Sequence, residues 1–260
     1  VGEDGRLTQW TDLSGHGHGA EVITFPPGIS RSGDPPDRSP LAVQPSHPDG
    51  APSFLTFDGF DDLLWIADAE PINLGGPYDR RTIFLVFLTG ADVRRRQMLF
   101  ETGGDLRGFN AYLYEDRLYL GAFNVWNDDQ GRTTPFGPAH VTAAVAPRTT
   151  YVATLQFDYP GGALTGYLNG LETGREPEIG RVFLHHEDTG IGGINEDTYY
   201  HDGQRQGVPA GDHFGGGFGA ILVYNSVLSG ADRESAERWL MKRFGVEAEE
   251  SRTATPQASR

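Results

Sequence analysis

From Ser53 to Tyr224 the chain is a succession of short β-type runs cut by turn residues, and that punctuation limits the fold more than any other feature. Phe54, Leu55 and Phe57 precede the turn Asp58-Gly59, and Leu63, Leu64 and Ile66 follow it. Further runs occupy 82–88, 97–101, 109–114, 118–123, 151–157 and 218–224. A spacing of roughly 8–12 residues between turns is that of an all-β sandwich. Glu115-Asp116, Asp158-Tyr-Pro-Gly-Gly162 and Asn169-Gly170 are hairpin signals, because Gly, Asn and Asp tolerate the positive φ that tight turns demand. The segment Thr82-Ile-Phe-Leu-Val-Phe-Leu88 is almost wholly apolar, as expected of a central strand buried on both faces.

Composition agrees: 36 Gly and 17 Pro favour many short strands joined by tight turns. Eight prolines fall between Pro26 and Pro52, so that stretch is expected to be a surface loop wrapping the sandwich. One helix is predicted at 229–244, with Ser229 as N-cap and Gly245 just beyond the end. Ala236, Trp239, Leu240 and Phe244 form its apolar face, and Arg233, Glu234, Glu237, Arg238 and Lys242 are expected to face away. The expectation is therefore one domain over 1–245, with a polar C-terminal tail at 246–260.

The formal charge of −15 argues against nucleic acid and anionic membrane surfaces, which require clustered cations. No apolar run is long enough for a membrane-spanning segment. With no cysteine, disulfides and thiolate zinc sites are excluded. The chain begins at Val1 and not Met, which fits a processed or excerpted chain and an exported location, extracellular or periplasmic.

Three blocks carry a family resemblance. They are Trp10-Thr-Asp12-Leu-Ser14-Gly-His-Gly17, Phe57-Asp58-Gly59-Phe-Asp61-Asp62-Leu-Leu, and Phe218-Gly-Ala-Ile-Leu-Val-Tyr-Asn225-Ser-Val-Leu228-Ser229 followed by the helix. In this order they resemble the laminin G-like, concanavalin A-like lectin/glucanase domains of bacterial exported proteins. The resemblance implies an antiparallel jelly-roll β-sandwich closed by one C-terminal amphipathic helix. It implies no single function, since such domains include sugar binders, adhesion modules, enzyme appendages and some glycanases. Ala220 departs from the family, whose members often carry Glu there.

Catalytic patterns of the fold are missing. A retaining glycanase needs two carboxylates about 5–5.5 Å apart on one face, and no Glu-x-Asp-x-Glu run supplies them. No catalytic residue is assigned; a polysaccharide-cleaving enzyme would have to use a non-standard site around Glu101, Glu187 or Glu196. The segment from Gly192 to Asp202 gathers Asn195, Glu196, Asp197 and Asp202, a set of oxygen donors that suits calcium, with Asp188 as a further ligand. The same residues also suit a solvated loop whose side chains cap their own turns. Trp126, Asn127 and Asp128, and Tyr199-Tyr200 beside the acidic loop, are candidate sugar contacts: aromatic faces lie under C–H groups, and amides and carboxylates bond hydroxyls. Core packing is the competing assignment for Trp126. The expected function is a non-catalytic recognition or assembly module, meeting a glycan or protein partner through sandwich-edge loops. A structural subunit held in a larger assembly by its tail and proline-rich loop is the alternative.

Overall fold

A computed structural model describes residues 7, 9–21, 42–43, 54–104, 106–125, 135–195, 197–207 and 212–247. It is an antiparallel jelly-roll β-sandwich with one C-terminal helix, as the sequence predicts. One sheet runs, in spatial order, Gln9–Trp10, Ala20–Glu21, Leu64–Ile66, Thr189–Ile191, Gln97–Glu101, Arg107–Tyr114, Arg117–Asn124 and Phe136–Ala144. The other runs Leu171–Glu176, Ala163–Leu168, Thr150–Asp158, Arg80–Thr89, Gly215–Tyr224, Leu55–Asp58 and Ala42–Val43. A separate hairpin pairs Asp197–Tyr199 with Arg205–Gly207. Among the described residues no helix is long and apolar enough to cross a membrane.

The predicted turns form, and at Asn169-Gly170 for the predicted reason. Glu115 and Asp116 hold φ of 49° and 61°, and Asn169 and Gly170 hold 50° and 83°. Two successive positive φ values match the strand twist on either side, so Tyr114 pairs with Arg117 and Leu168 with Leu171. Strand Arg80–Thr89 is central, flanked by Thr150–Asp158 and Gly215–Tyr224. Its alternate side chains serve two cores. Ile83, Leu85 and Phe87 meet the facing sheet, whereas Phe84 and Val86 lie under the helix.

The Trp10–Gly17 block also acquires a physical role. Asp12 accepts the Ser14 N–H and hydroxyl, both at 2.8 Å, and the His18 N–H at 3.0 Å. The Ser14 hydroxyl leads these bonds in holding the Asp12 carboxyl well below the usual range, so this residue organises the loop as an anion.

The helix spans Gly230–Phe244. Ser229 Oγ accepts the Asp232 N–H at 3.2 Å, and Gly245 closes the end at φ 66°. Ala236, Leu240 and Phe244 pack inward as expected, but the rest of the buried face differs. Arg233 and Glu237 are inside, with Leu240 and Met241, whereas Trp239 is 58% exposed. The two charges tolerate burial because they pair with each other, Thr154 donates to Glu237, and the Arg233 guanidinium carbon sits 3.7 Å from the Tyr167 ring centroid. Ala220 packs in the layer beneath this helix. Gly219 makes room for Phe244, since a Cβ there would collide with its ring.

Candidate functional site

At one end of the sandwich three loops meet around a surface pocket of about 450 Å³. It is lined by Asp58, Gly59 and Phe60 from one loop, Gly90, Ala91 and Asp92 from a second, Gly215 from a third, and Arg95 and Gln97. The Phe57–Leu64 block builds the tip. Asp58 Oδ1 accepts the Phe60 N–H at 2.7 Å, and Asp62 Oδ2 accepts the Asp58 N–H at 2.7 Å. This turn holds Phe57 in the core and turns Phe60 outward to 81% exposure. Gly59 takes φ 84°, and its carbonyl accepts from Arg95 Nη2 at 3.1 Å. Gly90 is required by packing, because a Cβ there would strike the Gly215 carbonyl. Gln97 ties the loops together, donating to Asp92 O at 2.8 Å and accepting from Gly215 N at 3.0 Å. The result is a recess lined by Asp58, Asp92, Arg95 and Gln97 with an exposed aromatic ring at its rim.

Asp58, Asp61 and Asp62 present carboxylate oxygens that lie within 4.8 Å of one another. Such acidic groups are common without a cation, and this one already bonds its own backbone.

The residues expected to bind calcium are placed by three elements. Asp188 Oδ1 accepts the Asp68 N–H at 2.9 Å. Asn195 is buried; its amide donates to Asp188 O, and its N–H bonds Glu101 at 3.3 Å. Asp197 lies in the separate hairpin opposite Gly207. Asp202 faces Arg96, whose Nη2 stands 2.7 Å from its Oδ2. Asn195 and Asp188 are thus brought together, but through an amide and a backbone carbonyl, and Asp202 is committed to a cation. Glu196 lies outside the described residues, as do Trp126, Asn127 and Asp128, residues 248–260, and the proline-rich stretch apart from Ala42–Val43.

Tyr199 and Tyr200, expected to touch sugar, belong to the layer between this hairpin and the outer face of the first sheet. Tyr199 is half-buried, edge-on to Phe123. Tyr200 is inside, with its hydroxyl donating to Asp212 at 2.6 Å. Burial and the adjacent Asp212 push its phenol well above the usual range, so it stays neutral. Tyr112 Oη and His201 Nδ1 are hydrogen-bonded at 2.8 Å, and the His201 ring stacks on Tyr119 at 4.1 Å. His140 bonds Asn110 Oδ1 at 3.0 Å; burial first, then His201, pushes it down to about 3.

Glu101, the isolated carboxylate considered for catalysis, is fully buried and accepts from Gly103 N and Asn195 N. Glu187 sits at φ 101° in the bend before Asp188. The residues that sequence reasoning passed over are Phe60 and Arg95. The signal for Phe60 was present: an aromatic residue at a Gly-turn tip, flanked by Asp, has no core to enter.

No protein-family model and no curated protein matches the chain. Solved structures do. The binding domain of Paraclostridial Mosquitocidal Protein 1 aligns over 92% of this chain and 53% of its own, at 12% identity and a TM-score of 0.58. The Botulinum Neurotoxin serotype G binding domain aligns over 73% and 43%, at 9% identity and 0.52. The binding domain of Botulinum Neurotoxin DC, solved in complex with SialylT, aligns over 91% and 51%, at 11% identity and 0.52. The chain spans about half the length of these structures. At such identities the likeness concerns the β-sandwich fold.

Proposed function

We propose that this protein is a non-catalytic glycan-binding module of the laminin G-like, concanavalin A-like kind, acting through the loop-end pocket. The observation that carries the reading is Phe60, 81% exposed at the rim of a recess lined by Asp58, Asp92 and Arg95. An aromatic ring left in water at a rigid tip is a platform for the apolar face of a sugar, and the polar groups beside it bond hydroxyls. The fold neighbours support the reading, because their names describe binding domains and one is described in complex with SialylT. The burial of Glu101 supports a non-catalytic role. The surplus of carboxylates suits calcium as an aid, and the resemblance to domains of bacterial exported proteins supports an exported setting.

A glycan array followed by titration calorimetry tests this, with wild type and Phe60→Ala, each in calcium and in chelator. Wild type should bind, and Phe60→Ala should lose roughly two- to ten-fold in affinity, the scale of one stacked ring, with an unchanged melting temperature. Equal binding by the variant, or no glycan bound by wild type, overturns the proposal.

A further inference from the structure

We infer that the hairpin of Asp197–Tyr199 and Arg205–Gly207 is an acid-released cover over the outer face of the eight-stranded sheet, with His140 as its sensor. Among the described residues its two strands pair only with each other. A lone two-stranded ribbon is marginal in water, so the hairpin depends on its anchorage to the sheet below. Asn110 is one anchor. Its Nδ2 donates to Thr198 Oγ1 at 2.8 Å and to the Tyr199 carbonyl at 3.1 Å. A carbonyl only accepts, which fixes the orientation of the amide and turns Oδ1 toward His140 Nε2 at 3.0 Å. His140 therefore carries its proton on Nε2. Its Nδ1 is a bare lone pair, buried and with no hydrogen-bond partner among the described residues.

That arrangement holds only a neutral imidazole, because a second proton on Nδ1 would make a buried cation with no acceptor. The groups around the ring give it no relief. Tyr112 and Tyr119 meet it edge-on, at 5.7 and 6.4 Å between centroids. Arg117 Nη1 donates to Thr142 on the same strand as His140. On the hairpin side are His201, stacked on Tyr119, and Asp202, which is paired with Arg96. Burial first and His201 next hold His140 down at about 3, with Asp202 opposing. When the hairpin lifts, Asn110 loses both partners and the His140 ring is wetted, so it titrates near pH ~6.5. The closed form is thus fully favoured above about pH 6.5 and loses ground as pH falls toward about 3. Between pH 7 and pH 5 the opening equilibrium rises about 25-fold for this one group. Opening uncovers the stacked pair of Tyr112 and Tyr119.

The test is amide hydrogen exchange on the full chain at pH 7 and pH 5, read as protection factors so that the intrinsic rate cancels. Protection across 197–207 should lie below that of the central strand Arg80–Thr89 at pH 7, and should fall about 25-fold or more by pH 5. In His140→Gln, whose amide can still donate to Asn110, the fall should shrink by about the same factor. Hairpin protection that ignores pH, or that equals the central strand at both pH values, overturns the inference, and wild type alone decides both points. An undiminished fall in His140→Gln overturns it as well.

Discussion

Thr154 Oγ1 donates to Glu237 Oε1 at 2.7 Å across the join between the seven-stranded sheet and the helix. Glu237 is 1% exposed and also pairs with Arg233, itself 7% exposed. Removing one member of a buried pair leaves the other charge in a low dielectric, at a cost of about 3–5 kcal/mol. Glu237→Ala should therefore lower the urea-unfolding free energy by that amount. The double variant Arg233→Met, Glu237→Leu should recover most of it. A loss below about 1 kcal/mol for the single variant would show the pair to be effectively solvated.

The two faces of the helix separate in a second experiment. Leu240 is fully buried against Phe84 and Val86, so Leu240→Ala should cost about 2–5 kcal/mol through lost contact and the cavity left behind. Trp239 is 58% exposed beside Arg243, and Trp239→Ala should stay within about 0.5 kcal/mol. Reversed results in thermal melts would restore the face assigned from sequence.

Acid should weaken the fold before its carboxylates titrate. His140 has its pKa pushed down to about 3 by burial first and by His201 next, with Asp202 opposing; burial also leads the downward shifts of His185 and His201. In the unfolded chain a histidine titrates near pH ~6.5. Below that pH the unfolded state binds the extra proton, so the stability is fully present above about 6.5 and is lost as pH falls toward about 3. Melting temperatures measured between pH 7 and pH 5 should fall in wild type and fall less in His140→Gln. An identical slope for the variant would remove His140 from the account.

Arg96 fastens the hairpin of Asp197–Tyr199 and Arg205–Gly207 to the sheet. Its guanidinium carbon lies 4.0 Å from the Tyr200 ring centroid and 4.6 Å from that of Tyr114, and it pairs with Asp202. Arg96→Ala should cost roughly 1.5–3 kcal/mol, the range for hydrogen bonds to charged groups. It should speed amide exchange in 197–207 while leaving Arg107–Tyr114 protected. Uniform acceleration across both segments would point to global loosening instead.

What the sequence determined alone is the local geometry and the architecture that follows from it. Asn169-Gly170 fixes its turn because Asn and Gly readily take positive φ. The apolar run at 82–88 fixes a central strand because only a two-sided core can hold it. Ser229 and Gly245 mark the helix ends through short-range bonds. Tertiary structure decided which charges go inside and which acidic side chains are committed to partners. Arg233 and Glu237 look like solvent residues until Tyr167 and Thr154 arrive from distant strands. Asp202 looks like a cation ligand until Arg96 meets it from 106 residues away. The burial cost of a polar group depends on partners that are near in space and far in sequence, and no local pattern encodes them. The same holds for Phe60: its turn is written in Asp58-Gly59, but only the approach of Gly90, Asp92 and Gly215 makes the recess beside it.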